Sequence, residues 1–375
     1  MWKIPLFKIY WDSKDVDSVS DAIKKGMFWA IGPNNESFEE KITRYTGSQY
    51  ALTFNSGTSA LHAAMLAHGV GKGDEVIVPS FTFIATANTP LFVEAKPVFA
   101  DIEEETFGLD PDDVAEKITK KTRAIIPVHY AGCPCMIREL RKLANDNNIL
   151  LIEDAAEAFG ANVGGQKVGT FGDTSMFSFC SNKIITTGEG GALVTESKDI
   201  YEKLKLLRSH GRLETCNYFS SAENMDYVSL GYNFRMSNIT AGLGVAQMEK
   251  VKDIINKRRE IAGLMSKKLS DIDEIITPKE PDDYFHVYQM YTIRVKKGKR
   301  DELAKFMGES SIMTKVYFTP VHQSHFYKNV LKYRCKLPVT EDLSEQVLTL
   351  PMHPLLTYDE IDFITSKIES FFSGK

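Results

Sequence analysis

The chain is predicted to be an α/β protein, with a mostly parallel central sheet carrying helices on both faces and a smaller C-terminal α/β domain. Three observations predict it. From residue 48 to about 195, short apolar runs alternate with helical stretches, the rhythm of repeated strand–helix–strand units. Near Met248 that rhythm gives way to a long charged helical pattern. The 375 residues are also more than one ordinary core serves, and suit a large domain plus a smaller one. The expected division is a large domain over 1–248 and a small one over 249–375, with the first 25 or so residues able to cross onto the small one.

The apolar runs lie at 51–54, 75–79, 97–99, 124–129, 149–153, 175–179 and 191–195. Each is short, continuous and bounded by turn residues, as expected of strands buried on both faces. After the first run, Gly57-Thr58 opens a helix whose apolar positions are Ala60, Leu61, Ala64 and Met65. Beyond Met248, the stretch 250–262 is helical, and Val251, Ile254, Ile255 and Ala262 give it one apolar stripe. Residues 286–295 read as a strand with Val287, Tyr291 and Ile293 on one side. A helical stretch follows at 302–307, then a strand candidate at 316–318 and a closing amphipathic helix at 358–372.

Composition excludes several classes. The net charge is −5 with both signs interspersed, so there is no basic groove for nucleic acid. The basic cluster from Lys250 to Arg259 fits a solvated helix face. No run approaches the roughly 20 apolar residues of a membrane span. The start, Met1-Trp2-Lys3-Ile4-Pro5-Leu6, lacks a signal peptide's apolar core and cleavage site, so a cytoplasmic setting is expected. Cys133, Cys135, Cys180, Cys216 and Cys335 are odd in number and form no C-x-x-C pair. All five are read as free thiols, and no metal site is expected because Cys133-Pro134-Cys135 is too tight for a zinc knuckle.

Three constellations carry chemistry. Lys183 stands just past an apolar strand and before Gly188-Glu189-Gly190-Gly191. An amine held there can lose its proton and form a Schiff base with a carbonyl. On its own it reads more simply as a lysine extending out of a strand end, which is common. Asp154 ends the run Ile149-Leu150-Leu151-Ile152-Glu153, at the carboxyl edge where open α/β sheets bind ligands. A carboxylate there can pair with a pyridinium nitrogen. It could also cap a helix, since Asp-Ala-Ala-Glu resembles a capping box. Finally, Ser56-Gly57-Thr58-Ser59 opens a helix after a strand. Its free N–H groups and dipole suit a phosphate, or form an ordinary cap.

Phosphate cradle, ring-pairing aspartate and Schiff-base lysine, in that order, resemble the fold-type I enzymes of pyridoxal 5'-phosphate (PLP). The chain further resembles the DegT/DnrJ/EryC1/StrS sugar-nucleotide aminotransferase family along nearly its whole length. The matching stretches are Gly32-Pro33 with Phe38-Glu39-Glu40, Ser56-Gly57-Thr58, Gly73-Asp74-Glu75-Val76-Ile77-Val78-Pro79 and Pro97-Val98-Phe99-Ala100-Asp101. They continue through Glu153-Asp154-Ala155-Ala156, Phe177-Ser178-Phe179, Gly188-Glu189-Gly190-Gly191 and Gly231-Tyr232-Asn233-Phe234-Arg235-Met236.

The resemblance implies roles. Lys183 would hold the cofactor and then act as the proton-moving base. Asp154 would pair with the ring nitrogen, Glu157 would sit near the 3-hydroxyl, and Phe83 would stack on the ring. Glu157 is a mild departure, because many relatives carry Gln there. Thr58 and Ser178 would bind the phosphate with help from Gly57. Asn233 resembles a residue that reaches the neighbouring subunit's phosphate, which implies a homodimer with shared sites; otherwise it caps a turn after Gly231. His322 matches a position lining the sugar-nucleotide site; as a lone histidine it would read as structural.

The implied reaction moves an amino group from an amino acid, glutamate by expectation, to a keto-deoxy sugar linked to a nucleoside diphosphate. The Asp154-Ala155-Ala156-Glu157 motif resembles that of perosamine synthases, which aminate C4 of a GDP-linked 4-keto-6-deoxy sugar. Amination at C3 and a non-catalytic regulatory role on the same fold are the alternatives. Relatives that act as dehydratases carry histidine in place of the lysine, and this chain has Lys183.

Overall fold

The computed structural model describes residues 2–213 and 225–374. Its first nine strands are β1 (Tyr50–Phe54), β2 (Glu75–Pro79), β3 (Lys96–Ala100), β4 (Thr122–Ile125), β5 (Leu150–Asp154), β6 (Asn162–Val163), β7 (Gln166–Lys167), β8 (Thr174–Ser178) and β9 (Gly191–Thr195). Seven of them form one sheet in the order β1-β9-β8-β5-β4-β2-β3. The pairs β3–β2, β2–β4, β4–β5 and β5–β8 are parallel. Only β9 runs against its neighbours, β8 and β1. The seven apolar runs of the sequence therefore all become strands of one mostly parallel sheet.

The sequence places these strands because their side chains are apolar on both faces. Val76, Ile77, Val78, Leu151 and Ile152 are all essentially inaccessible to solvent. The run expected at 124–129 pairs regularly only to Ile125. Pro127 has no N–H to give a ladder. The backbone nonetheless stays beside β5, with Asp154 N–H donating to Pro127 O at 2.9 Å and His129 N–H donating to Asp154 O at 3.1 Å.

Glu153 is the polar exception in the middle of the sheet, and it is fully buried. Its carboxylate accepts from Gly169 N–H (2.8 Å), Phe171 N–H (2.9 Å), Gly172 N–H (2.6 Å) and Ser175 Oγ (2.7 Å). Cys135 N–H donates to His129 Nδ1, so the other ring nitrogen, Nε2, carries the proton directed at Glu153 over 3.1 Å. Burial alone would raise the Glu153 pKa; these donors overcome it and hold the carboxyl below its ordinary value. They also lock the end of β5, and with it Asp154, to the turn before β8.

The C-terminal strands are β10 (Ile275–Ile276), β11 (Tyr284–Phe285), β12 (Tyr291–Val295) and β13 (Val347–Leu350). A small sheet has the order β10-β12-β13, and β11 pairs with β6. The charged helix spans Val251–Leu269 and buries Val251, Ile254, Ile255, Ile261 and Ala262. The helices expected near 302–307 and 358–372 are Arg300–Glu309 and Tyr358–Ser373.

Two expectations are corrected. Residues 286–295 are not one strand. Tyr288 has a φ of 48°, which breaks any ladder, and strand β12 starts at Tyr291. Val287 packs with Phe177 and Phe179, whereas Tyr291 and Ile293 pack with Met265 and Leu348. Nor is 316–318 a strand: the nearest pairing is an isolated bridge just before it, Lys315 with Thr349. The N-terminal segment crosses as the sequence allows. Ile4 pairs with Ile312 and lies in the C-terminal cluster, while the helix Ser13–Lys24 returns to pack on Asn238–Met248.

Cys133, Cys135, Cys180 and Cys335 are free thiols, and Cys216 lies outside the described residues. No helix among the described residues is long and apolar enough to cross a membrane.

Two buried histidines set an expected response to acid. Burial, reinforced by Arg259, pushes His286 down to about 3. Burial, reinforced by Lys8 and Arg258, pushes His353 down to about 4. Neither ring nitrogen of His353 has a hydrogen-bond partner among the described residues. As pH falls below about 6.5 the unfolded chain takes up these protons first. The stability they confer is complete above about 6.5 and drains toward their folded values, by at most about 1.4 kcal/mol per pH unit for each. Thermal midpoints measured across that range should fall on acidification, and His353→Leu should flatten the slope by about one proton. A slope identical to wild type would mean that His353 is not buried as the neutral form.

Candidate active site

The carboxyl ends of β1, β2, β5 and β8 converge on a cavity of about 420 Å³, within the range of small-molecule sites. It is lined by Gly57, Thr58, Phe83, Asp154, Glu157, Ser178 and Lys183 together. Seven of the nine site residues expected from the sequence thus meet in one place.

Lys183 is set by the loop between β8 and β9. That loop holds itself in shape through its hydroxyls. Ser181 Oγ donates to Gly188 O (3.1 Å), Thr186 Oγ1 to Phe179 O (3.1 Å) and Thr187 Oγ1 to Glu189 O (2.7 Å). Gly188, with a φ of +82°, makes the turn that follows. Lys183 does not run out to solvent. Its ammonium lies 3.3 Å from Glu157 Oε1, and both side chains are largely buried. The other Glu157 oxygen accepts from Ala131 N–H at 2.9 Å, so the carboxylate that steadies the lysine is itself fixed.

Asp154 closes β5. No helix follows it: Ala158 N–H donates to Ala155 O and Ala161 N–H to Ala158 O, a pair of tight turns. The helix-cap alternative therefore falls. Asp154 Oδ1 accepts from Ala156 N–H (3.1 Å) and Oδ2 from Thr86 Oγ1 (2.7 Å). Thr82 bonds Thr86 in turn at 2.9 Å. Burial pushes the Asp154 carboxyl above its ordinary value, and Thr86, Ala156 N–H and the charge of Lys183 oppose that rise. A buried carboxylate of this kind is primed for a cation.

The helix Gly57–Ala67 starts at the cavity wall, capped by Ser56, whose Oγ accepts from Ser59 N–H at 3.1 Å. Among the described residues no hydrogen bond takes up the Gly57 and Thr58 N–H groups, so two donors and the dipole end face the cavity. Close approach shapes this cradle. A Cβ on Gly191 would lie 2.6 Å from Gly57 N, a backbone clash that cannot relax. Ser178 brings its hydroxyl to the same wall. Phe83 precedes the helix Ile84–Phe92 and is 61% exposed, unusual for a phenylalanine beside a cavity.

Two expected residues stand apart. His322 is buried outside the cavity lining, with Nδ1 2.7 Å from Ser80 Oγ and Nε2 3.2 Å from Glu341 Oε1. Asn233 is exposed and also outside the lining; its carbonyl accepts from Asn55 Nδ2 at 3.3 Å. Conversely, Thr86, Lys315, Tyr317 and Phe318 line the cavity, and none of them carries a site role on sequence grounds.

A profile of the DegT/DnrJ/EryC1/StrS aminotransferase family matches residues 10–369. The chain belongs to this family. It is similar to the GDP-perosamine synthase of Escherichia coli O157:H7, with 38% identity over 373 residues, 99% of each chain. Among solved structures it is similar to Helicobacter pylori PseC, an aminotransferase of pseudaminic acid biosynthesis. That likeness has a TM-score of 0.91 and 28% identity, covering 100% of this chain and 99% of the other. The PLP form of Spr1654 from Streptococcus pneumoniae matches with a TM-score of 0.92 and 26% identity, covering 100% and 98%.

The protein is thus a PLP-dependent sugar aminotransferase with a fold-type I architecture. The cavity fits that cofactor on its own evidence: an amine, a buried carboxylate and two unspent N–H donors share one space.

Proposed function

We propose that this aminotransferase transfers the amino group of glutamate to C4 of a nucleoside-diphosphate-linked 4-keto-6-deoxyhexose, with GDP as the nucleotide. The observation that carries the reading is the shared cavity of Lys183, Asp154 and the Gly57–Thr58 helix end. The likeness to a GDP-perosamine synthase supports the sugar and its C4 position. Through such relatives the product would feed polysaccharide biosynthesis. We take the setting to be cytoplasmic, in keeping with the free thiols.

When bound, PLP supplies an electron sink that stabilises negative charge on the carbon bearing the amino group. Lys183 Nζ would hold the cofactor and would carry the proton to and from that carbon. Glu157, which orients Lys183, would serve the 3-hydroxyl. Asp154, fixed by Thr86 and Ala156 N–H, would keep a proton on the ring nitrogen. Phe83 would cover the ring. The Gly57 and Thr58 N–H groups, with the Thr58 and Ser178 hydroxyls, would hold the phosphate. For His322 the buried bonds to Ser80 and Glu341 favour a supporting role behind the site over direct contact with the sugar. We also take 1–248 and 249–375 as the large and small domains.

We infer a homodimer with shared sites. Trp11, Met27, Trp29, Val228 and Leu230 are large apolar side chains exposed on the single chain, as expected of a surface that a second copy covers. Asn233 would then complete the neighbour's phosphate site. Mixing inactive Lys183→Ala with impaired Asn233→Ala and allowing subunit exchange should restore partial activity, because one site of each mixed dimer escapes both lesions. Proven exchange with no recovery would mean that each chain builds its site alone.

The substrate is tested by incubating purified holoenzyme and glutamate with a panel of 3-keto and 4-keto sugar nucleotides. Products are identified by mass and NMR. Amination at C4 of the GDP-linked sugar is expected; exclusive amination at C3 would overturn the assignment.

A further inference from the structure

The reaction brings several anionic groups to this cavity in turn: the cofactor phosphate, the carboxylates of the amino donor and the diphosphate of the sugar nucleotide. The helix end at Gly57–Thr58 and the Ser178 hydroxyl serve the first. Among the described residues only two cations line the cavity, Lys183 and Lys315. Lys183 is committed to the cofactor and is neutralised by Glu157 at 3.3 Å. Lys315 forms no ion pair among the described residues, and its side chain faces solvent at the cavity.

Its setting is nevertheless built. Lys315 N–H donates to Thr349 O at 3.1 Å, and Thr349 N–H donates back to Lys315 O at 2.8 Å, which pins the backbone to strand β13. Two residues on, the Tyr317 carbonyl accepts from the buried Tyr130 hydroxyl at 2.6 Å. The Lys315 ammonium lies 4.8 Å from the centroid of the Tyr317 ring, a cation–π contact that holds an otherwise floppy chain. An anchored backbone and a steadied ammonium with no carboxylate partner describe a receptor for an incoming anion.

We propose that Lys315 receives an oxyanion of the substrate, either a donor carboxylate or the nucleotide diphosphate, and so acts as a specificity-determining residue for the amination. The assignment rests on the sugar-aminotransferase reading of the cavity.

The test uses PLP-loaded wild type, Lys315→Gln and Lys315→Arg. Dissociation constants are measured calorimetrically for two unreactive probes: glutarate, a dicarboxylate without an amine, and GDP. The visible cofactor band reports whether each variant keeps its cofactor site. Lys315→Gln is expected to keep the band and to weaken at least one probe by about tenfold or more, the loss of one charge-assisted hydrogen bond. Lys315→Arg should keep most of that affinity. Loss confined to glutarate identifies the donor carboxylate; loss confined to GDP identifies the diphosphate; loss of both means the two substrates use the lysine in turn. Binding of both probes within about twofold of wild type (under about 0.5 kcal/mol) would overturn the proposal. So would loss of the cofactor band in Lys315→Gln, which would make the lysine a structural support. A wild type that shows no cofactor band would instead remove the reading beneath the proposal, and the assignment with it.

Discussion

Lys183→Ala is expected to lose both the visible absorbance of lysine-linked cofactor and measurable turnover. The side chain lies in the cavity, not along the surface, with its ammonium 3.3 Å from Glu157. Losing the proton shuttle alone costs about 10²–10⁴-fold, and losing the covalent anchor adds to that. Borohydride reduction followed by peptide mass spectrometry gives a readout separate from activity: wild type should carry the label on Lys183, and the variant should carry none. A Lys183→Ala protein that transaminates at the wild-type rate would remove the central assignment. So would a label fixed on a different lysine.

The site is legible in the sequence where chemistry and local pattern coincide. The strands β2, β5 and β9 are short apolar runs ended by turn residues, as burial on both faces requires. Asp154 and Lys183 were legible because the first closes such a run and the second comes four residues after one. Gly57 and Thr58 were legible because a strand, a Ser-Gly-Thr step and a helical stripe lie in consecutive residues. All of these signals are local.

Contacts between residues distant in sequence leave no such local sign. Thr86 fixes Asp154 from 68 residues away in sequence, and a threonine within an apolar helical stretch gives no sign of its partner. Lys315 and Tyr317 belong to a segment whose Val-Tyr-Phe sequence has strand composition but which forms a single bridge at Lys315. Strand propensity there reflects packing against the Phe81–Phe107–Tyr130 cluster, not a ladder. The break at Tyr288 misled for a related reason. Val287 and Ile293 alternate correctly for a strand, yet they serve different cores, and one left-handed residue between them is invisible to periodicity. His322 shows the limit of carrying a role across by position: its bonds to Ser80 and Glu341 emerge only from the folded chain.

Asp154→Asn is expected to retain cofactor yet lower kcat and kcat/KM together by about 10²–10³-fold, the range for losing one preorganised electrostatic partner. An amide can still meet Thr86 Oγ1 and Ala156 N–H, which now hold the carboxylate at 2.7 and 3.1 Å. It cannot keep a proton on the ring nitrogen, so the electron sink weakens. Thr86→Val should reproduce a smaller part of the loss, because it frees one carboxylate oxygen without removing the charge. The cofactor-free protein should respond in the opposite sense. Burial raises the folded pKa of Asp154, so its contribution to stability is present at low pH and is lost as pH rises through the folded value. At neutral pH the ionised group is a liability until a cation meets it, and Asp154→Asn apoprotein should melt at or above the wild-type temperature. A slower enzyme on an equally stable or more stable scaffold is the signature of a residue kept for chemistry. Near-normal turnover together with a lowered melting temperature would instead return Asp154 to the turn at Ala156 as a purely structural group.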